Sequence, residues 1–192
     1  FISTLFIVQG QVANSLGVPT RYPAFSLNTV LSPSTVQLFG YSVAAIKDIN
    51  NNNYNEVVIG SPKSATTTNG SGNVYVKDGQ TLNTLYSLSG NPFYNCQNAQ
   101  YGVAVDSLSD ITNDGIEEIA VFSSLDGVGP LFNACMGIIY VYSGANGSLI
   151  YTIDPTTVAA AVTSLDWPLL ANMAVVGDIT GDGLKDILVS NP

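Results

Sequence analysis

The sequence predicts an all-β protein of antiparallel four-stranded units, two complete and one half, preceded by an extended N-terminal strand. Three observations carry that prediction. An acidic loop recurs three times, with its first aspartate at Asp48, Asp110 and Asp178. The spacings of 62 and 68 residues are too long for a helical repeat and suit four strands with their loops. Short runs of β-branched and aromatic residues, such as "EVVIG" and "GIIYVY", are punctuated by Gly, Asn, Ser and Thr. Finally, no stretch carries a long amphipathic helical pattern; "TVAAAVTSL" at 157–165 is the best candidate, and it predicts only a helical turn.

In chain order, "STLFIVQG" (3–10) reads as a lone apolar strand, and the Pro- and Ser-containing segment up to residue 38 as an extended connection. "FGYSVAAIKDINNNNYNEVVIGSP" (39–62) then gives a first strand, an acidic loop and a second strand. "GNVYVKDGQTLNTLYSLSG" (72–90) gives a hairpin, its alternating residues broken by a turn. The pattern repeats in "YGVAVDSLSDITNDGIEEIAVFSS" (101–124) and "GIIYVYSGANGSLIYTID" (137–154), where "ANG" marks the hairpin turn. A third copy, "LLANMAVVGDITGDGLKDILVSNP" (169–192), holds the first two strands of a unit. The expected organisation is therefore an N-terminal segment at 1–38, which could be exchanged between subunits, and a repeat domain at 39–192 with units at 39–90, 101–154 and 169–192.

Composition narrows the function classes. With 46% hydrophobic and 10% charged residues, the 192-residue chain has the balance of a folded domain. A net charge of −9 with five Lys plus Arg repels phosphate backbones, so nucleic acid is not an expected partner. The absence of His removes the commonest general base and transition-metal ligand. "FISTLFIV" is too short to span a bilayer and lacks the basic flank of a signal peptide, which predicts a processed chain or a fragment. Cys96 and Cys135 are too far apart for a zinc motif, and one disulfide is the expected reading over two buried thiols. Glycosylation sequons stand at Asn69 and Asn146 and fit an extracellular protein.

The acidic loops carry the chemistry. In the last, Asp178, Thr180 and Asp182 alternate, Gly183 permits a tight turn, Leu184 offers its carbonyl, and Asp186 closes the series from the next strand. The second loop supplies Asp110, Thr112, Asp114, the carbonyl of Ile116, and Glu118. The first supplies Asp48, Asn50, Asn52, the carbonyl of Tyr54, and Glu56, with Asn53 in place of the glycine. These are hard oxygen donors, which suit calcium, with six to eight oxygen ligands, better than magnesium or softer metals. Two to three ions are expected, with the first loop binding most weakly because it has two carboxylates against three. A metal-free Asp/Asn-rich turn is the alternative for any single loop, but three copies at matching positions favour the metal. The ninth position already enters an apolar strand, so these are not twelve-residue EF-hand loops.

The residues that bound the loops resemble the FG-GAP repeat, the blade unit of integrin alpha-subunit β-propellers and related extracellular proteins. "FG" at 39–40 and "GSP" at 60–62 carry the resemblance, echoed by "YG" at 101–102 and "SNP" at 190–192. The second copy has "FSS" where the family has a Gly-Ala-Pro-like end, and the third has "LL" in place of Phe-Gly. The resemblance implies that each unit is a four-stranded blade whose first loop binds calcium. It also implies that Cys96 and Cys135 lie together at the end of the blade away from the metal.

The expected function is a non-enzymatic, calcium-binding extracellular structural or adhesion module. Its partners would be copies of itself, joined into a fibre by the N-terminal strand, or other extracellular proteins or glycans. The alternative is a carbohydrate-active enzyme or a glycan-recognition module on a β-propeller scaffold. That reading would draw on Asp126, Asp154 and Asp166 as carboxylates, or on Tyr22, Tyr94 and Trp167 as stacking surfaces.

Overall fold

Strand-forming residues separated by tight Asx- and Gly-containing turns build a chain whose regular elements, among the described residues, are all β-strands. The structure is a computed structural model and describes residues 4–10, 25–31, 36–64, 72–90, 100–124, 137–153 and 172–190. The 157–165 segment, Cys96, Cys135 and Asn69 lie outside the described residues.

The first blade contains β4 (Ser42–Ile46), β5 (Glu56–Ser61), β7 (Asn73–Lys77) and β8 (Thr84–Ser89), antiparallel in the order β4-β5-β7-β8. The second contains β9 (Tyr101–Ser107), β10 (Ile119–Ser123), β11 (Ile138–Tyr142) and β12 (Leu149–Ile153) in the corresponding order. The third unit is an antiparallel pair, β13 (Asn172–Val176) and β14 (Asp186–Ser190), with Val176 opposite Asp186 across the acidic loop. These meandering sheets match the expected units strand for strand.

The N-terminal segment differs from the expected lone strand. β1 (Thr4–Gly10) pairs antiparallel with β2 (Phe25–Leu31), which falls inside the stretch read as an extended connection. Alternating "FSLNTVL" has the strand period, and its flanking prolines masked that signal. A two-residue strand, β3 (Val36–Gln37), pairs with β6 (Lys63–Ser64).

Blades stack face to face, and the strands show why their sequences are apolar without a break. Along β10, Ile119 and Val121 enter the core shared with the first blade, while Ala120 and Phe122 enter the core shared with β13 and β14. β11 divides in the same way, with Ile138, Tyr140 and Tyr142 on one face and Ile139 and Val141 on the other. A central strand covered on both faces has no solvent side to alternate with. Outer strands do alternate: β8 buries Leu88 and exposes Leu85.

The aromatic-glycine pairs set the approach of one blade to the next. Phe39 is buried against the ring of Tyr75, and Tyr101 edge-on against Tyr140 at 5.5 Å between centroids. Gly102 has φ +86°, a conformation that favours glycine, and lies against Gly60 of the neighbouring blade. A Cβ at Gly60 would stand 2.1 Å from the Gly102 carbonyl oxygen, which also accepts a hydrogen bond from Ser42 Oγ at 2.8 Å.

Candidate metal centre

Each acidic loop joins the first two strands of its unit, and the three share one hydrogen-bond plan. The first-position aspartate folds the loop around itself. Asp48 accepts the amides of Asn52 and Asn53 at 3.2 and 2.6 Å. Asp110 accepts those of Asp114 and Gly115 at 3.1 and 2.8 Å, and Asp178 those of Asp182 and Gly183 at 3.1 and 2.8 Å. Asp178 also accepts Gly181 N; the N–H groups of Gly183 and Gly181, followed by those of Asp182 and Thr180, hold its carboxyl below the usual carboxylate range.

The fifth-position side chain makes a local turn: Asn52, Asp114 and Asp182 each accept the amide two residues on, at 2.8, 2.9 and 2.9 Å. The ninth-position carboxylate closes the loop from the next strand. Glu56 accepts Ile49 N, Glu118 accepts Ile111 N and Thr112 N, and Asp186 accepts Ile179 N and Thr180 N, all at 2.7–3.0 Å.

Two residues in each loop hold left-handed backbone. At the sixth position these are Asn53 (φ +68°), Gly115 (+91°) and Gly183 (+91°), so Asn53 replaces glycine in the same conformation. The fourth position, which the sequence reading did not single out, does the same through Asn51 (+61°), Asn113 (+59°) and Gly181 (+82°). All six are Asn or Gly, the residues that adopt this region most readily.

The donor set is oxygen throughout. Among the described residues no three Asp, Glu or Cys side chains converge in a metal-holding arrangement, because the aspartates are turned onto the amides of their own loops. One feature favours a cation. Glu118 is fully buried, and its Oε2 has no hydrogen-bond partner, whereas the matching oxygen of Glu56 accepts Gly79 N at 3.1 Å. A buried carboxylate oxygen without a partner is costly unless a cation or proton offsets it. The second loop therefore fits a hard cation, with Asp110, Thr112, Asp114, the Ile116 carbonyl and Glu118 available to hold it.

Two lysines and an aspartate unmarked by motif complete the site. Lys47 N donates to Glu117 of the second loop at 2.9 Å, and Lys185 N in the third loop donates to Ser109 Oγ at 2.8 Å. Lys185 Nζ also reaches the carbonyl and hydroxyl of Ser107 at 3.0 and 3.1 Å. The loops thus form a row along one end of the stacked blades. Asp78, in the β7–β8 turn, faces the first loop; only its contact in space marks it. Asn146 sits exposed at the β11–β12 turn, its side chain accepting Ser148 N at 2.8 Å. Asp126, Asp154, Asp166, Tyr22, Tyr94 and Trp167 lie outside the described residues.

The model of the FG-GAP repeat matches residues 39–76, the first acidic loop and the strands around it. Mouse (Mus musculus) integrin alpha-E is 32% identical over 127 residues, covering 62% of this chain and 10% of the relative. Human (Homo sapiens) integrin alpha-E is 33% identical over 104 residues, 53% of this chain and 8% of the relative. Mouse integrin alpha-7 is 26% identical over 162 residues, 80% of this chain and 12% of the relative. The matched region therefore spans about a tenth of the length of these relatives. No described helix is long and apolar enough to cross a membrane.

Proposed function

Since the chain carries an FG-GAP repeat at residues 39–76, we propose that it is a non-enzymatic extracellular adhesion or structural module whose blades are stabilised by calcium. The observation that carries this reading is the row of acidic loops, joined by Lys47 and Lys185 at one end of face-packed blades. In this reading the loops at 110–118 and 178–186 are the calcium sites, and the loop at 48–56 has one carboxylate fewer with which to hold an ion. In these loops Asp110, Asp114 and Glu118, and Asp178, Asp182 and Asp186, would hold the ion, whose charge would offset their mutual repulsion and steady the turn between two strands. The chain's own contribution is the backbone cage that orients Asp110 and Asp178 and the buried Glu118. Similarity to integrin alpha chains supports a cell-surface or extracellular setting, with partners that are extracellular proteins, glycans or other copies of the chain. In the self-assembling form, the N-terminal hairpin of one copy adds to the β13–β14 sheet of another, where Leu188 and Val189 are exposed.

Thermal unfolding of the purified chain in calcium, in magnesium and in chelator tests the reading. Binding to the folded state alone stabilises it by about 2.7 kcal/mol at a hundredfold excess over Kd. A Tm that rises with calcium and less with magnesium is expected; equal Tm values in calcium and chelator would overturn the calcium role. Negative-stain images in calcium test assembly. Filaments lost on deletion of residues 1–31 are expected, and discrete single-chain particles would remove the polymeric form.

A further inference from the structure

The first loop has one carboxylate fewer than the others, and the structure shows where a third one comes from. The side-chain amides of Asn50 and Asn52 both donate to Oδ2 of Asp78, the latter at 2.5 Å. Asp78 is 26 and 28 residues away in sequence, in the β7–β8 turn. It is 4% exposed, and its other oxygen accepts Gln80 N at 3.0 Å and Thr81 N.

The second blade supplies the comparison within the same molecule. Ser143 holds the place of Asp78. Asp78 N donates to Asn83 O as Ser143 N does to Ser148 O, and Leu82 N donates to Asp78 O as Gly147 N does to Ser143 O. The next residue packs alike: a Cβ on Gly79 would strike the Asn55 carbonyl at 1.9 Å, and one on Gly144 the Glu117 carbonyl at 2.0 Å. Both turns therefore dock on the eighth position of their loop. At the three facing positions the first blade has Asn50, Asn52 and Asp78, where the second has Thr112, Asp114 and Ser143. The carboxylate has moved from the loop to the hairpin, and amide donors have replaced oxygen-only donors at the fifth position.

We propose that Asp78, clamped by the amides of Asn50 and Asn52, does in the first loop the work a cation does in the others, so that this loop is a metal-independent turn. An Asn side chain presents either a donor or an acceptor to a given point. Here two N–H groups meet one carboxylate oxygen; they leave its charge in place, but they turn Asn50 and Asn52 so that neither side chain offers a ligand oxygen toward Asp78. The inference rests on the reading of the second and third loops as calcium sites.

The test counts ions and measures stability in parallel. Equilibrium dialysis of the chain against calcium should give two ions per chain. Asp78→Asn should lower the Tm by about 4 °C, equally in calcium and in chelator, and leave two ions bound. Three ions in the parent chain, loss of an ion in Asp78→Asn, or a Tm loss confined to calcium would make Asp78 a metal ligand and overturn the clamp. If no calcium binds at all, the calcium reading of the other loops fails. The clamp is then decided by the Asp78→Asn Tm in chelator, where an unchanged value overturns it. Asn52→Asp keeps the test open if Asp78→Asn does not fold. By setting two carboxylates face to face, it should lower the Tm in chelator and add a third calcium ion; a Tm unchanged in chelator with two ions bound overturns the proposal.

Discussion

The main-chain amide of Lys47 donates to Oε2 of Glu117 at 2.9 Å, joining residues 70 apart across the two complete blades. The Lys47 ammonium extends the contact to the Gly115 carbonyl at 3.3 Å. A main-chain donor cannot be removed by substituting its side chain, so Glu117 is the member on which this junction depends. Glu117→Ala is expected to cost about 1.5 kcal/mol, because it strips the acceptor from a hydrogen bond to a charged group. Lys47→Ala should cost about 0.5 kcal/mol, since the lysine side chain is 55% exposed and its ion pair with Glu117 is screened. Urea unfolding of the two variants checks the ranking, and a larger loss in Lys47→Ala would contradict it.

Gly60 should tolerate no side chain. Its Cβ would stand 2.1 Å from the Gly102 carbonyl and 2.2 Å from Ser42 Oγ, and the first of these is backbone of the neighbouring blade. Gly60→Ala is expected to destabilise by about 3 kcal/mol by forcing the blades apart. Gly115→Ala meets open space and bears only the strain of φ +91°, about 1 kcal/mol. Thermal unfolding of both variants separates crowding at the interface from strain in the loop.

Glu118 should respond oppositely in chelator and in calcium. Its buried Oε2 lacks a partner, so Glu118→Gln removes an uncompensated charge and is expected to raise the Tm in chelator. In calcium the same change weakens the second loop's ion, and the calcium-dependent gain in Tm should shrink. A variant less stable by the same amount in both conditions would show that Glu118 acts on the backbone alone.

Alkaline pH should unfold the protein through its tyrosines. Burial, with the nearby charge of Glu56, raises the Tyr86 phenol. Burial with the neighbouring Tyr142 and Tyr140 raises Tyr101, and burial raises Tyr142 and Tyr151, the latter helped by Glu118. A raised folded-state value means that the neutral form is favoured on folding. That stability is complete below the unfolded phenol pKa of about 10 and is lost as pH rises through the folded values. Ionisation followed by ultraviolet absorbance should therefore lag behind free tyrosine and then coincide with loss of the β-sheet signal.

The loops were the most legible part of the chain, because their plan is local. An aspartate can reach amides four and five residues ahead without help from the rest of the fold, so spacing alone located Asp48, Asp110 and Asp178. The left-handed fourth position was readable in principle from Asn51, Asn113 and Gly181, but Asn is common enough in turns that its role merged with its neighbours'. β2 was hidden because flanking prolines outweighed a short alternating run. Lys47, Lys185 and Asp78 carried no local mark.

By itself the sequence determined the strands of the repeat units, their turns and the repeat, since each depends on contacts a few residues apart: periodicity, Asx turns and residues able to hold positive φ. The tertiary structure decided which loops meet. Asp78 faces Asn50 and Asn52 only because the β7–β8 hairpin folds back beside β5, and Lys47 meets Glu117 only because Gly60 and Gly102 let two blades approach closely. Which group meets a loop's carboxylates, a lysine, a main-chain amide or an asparagine side chain, depends on what packing brings beside it, and residues 26 to 70 positions away leave no periodic trace of that.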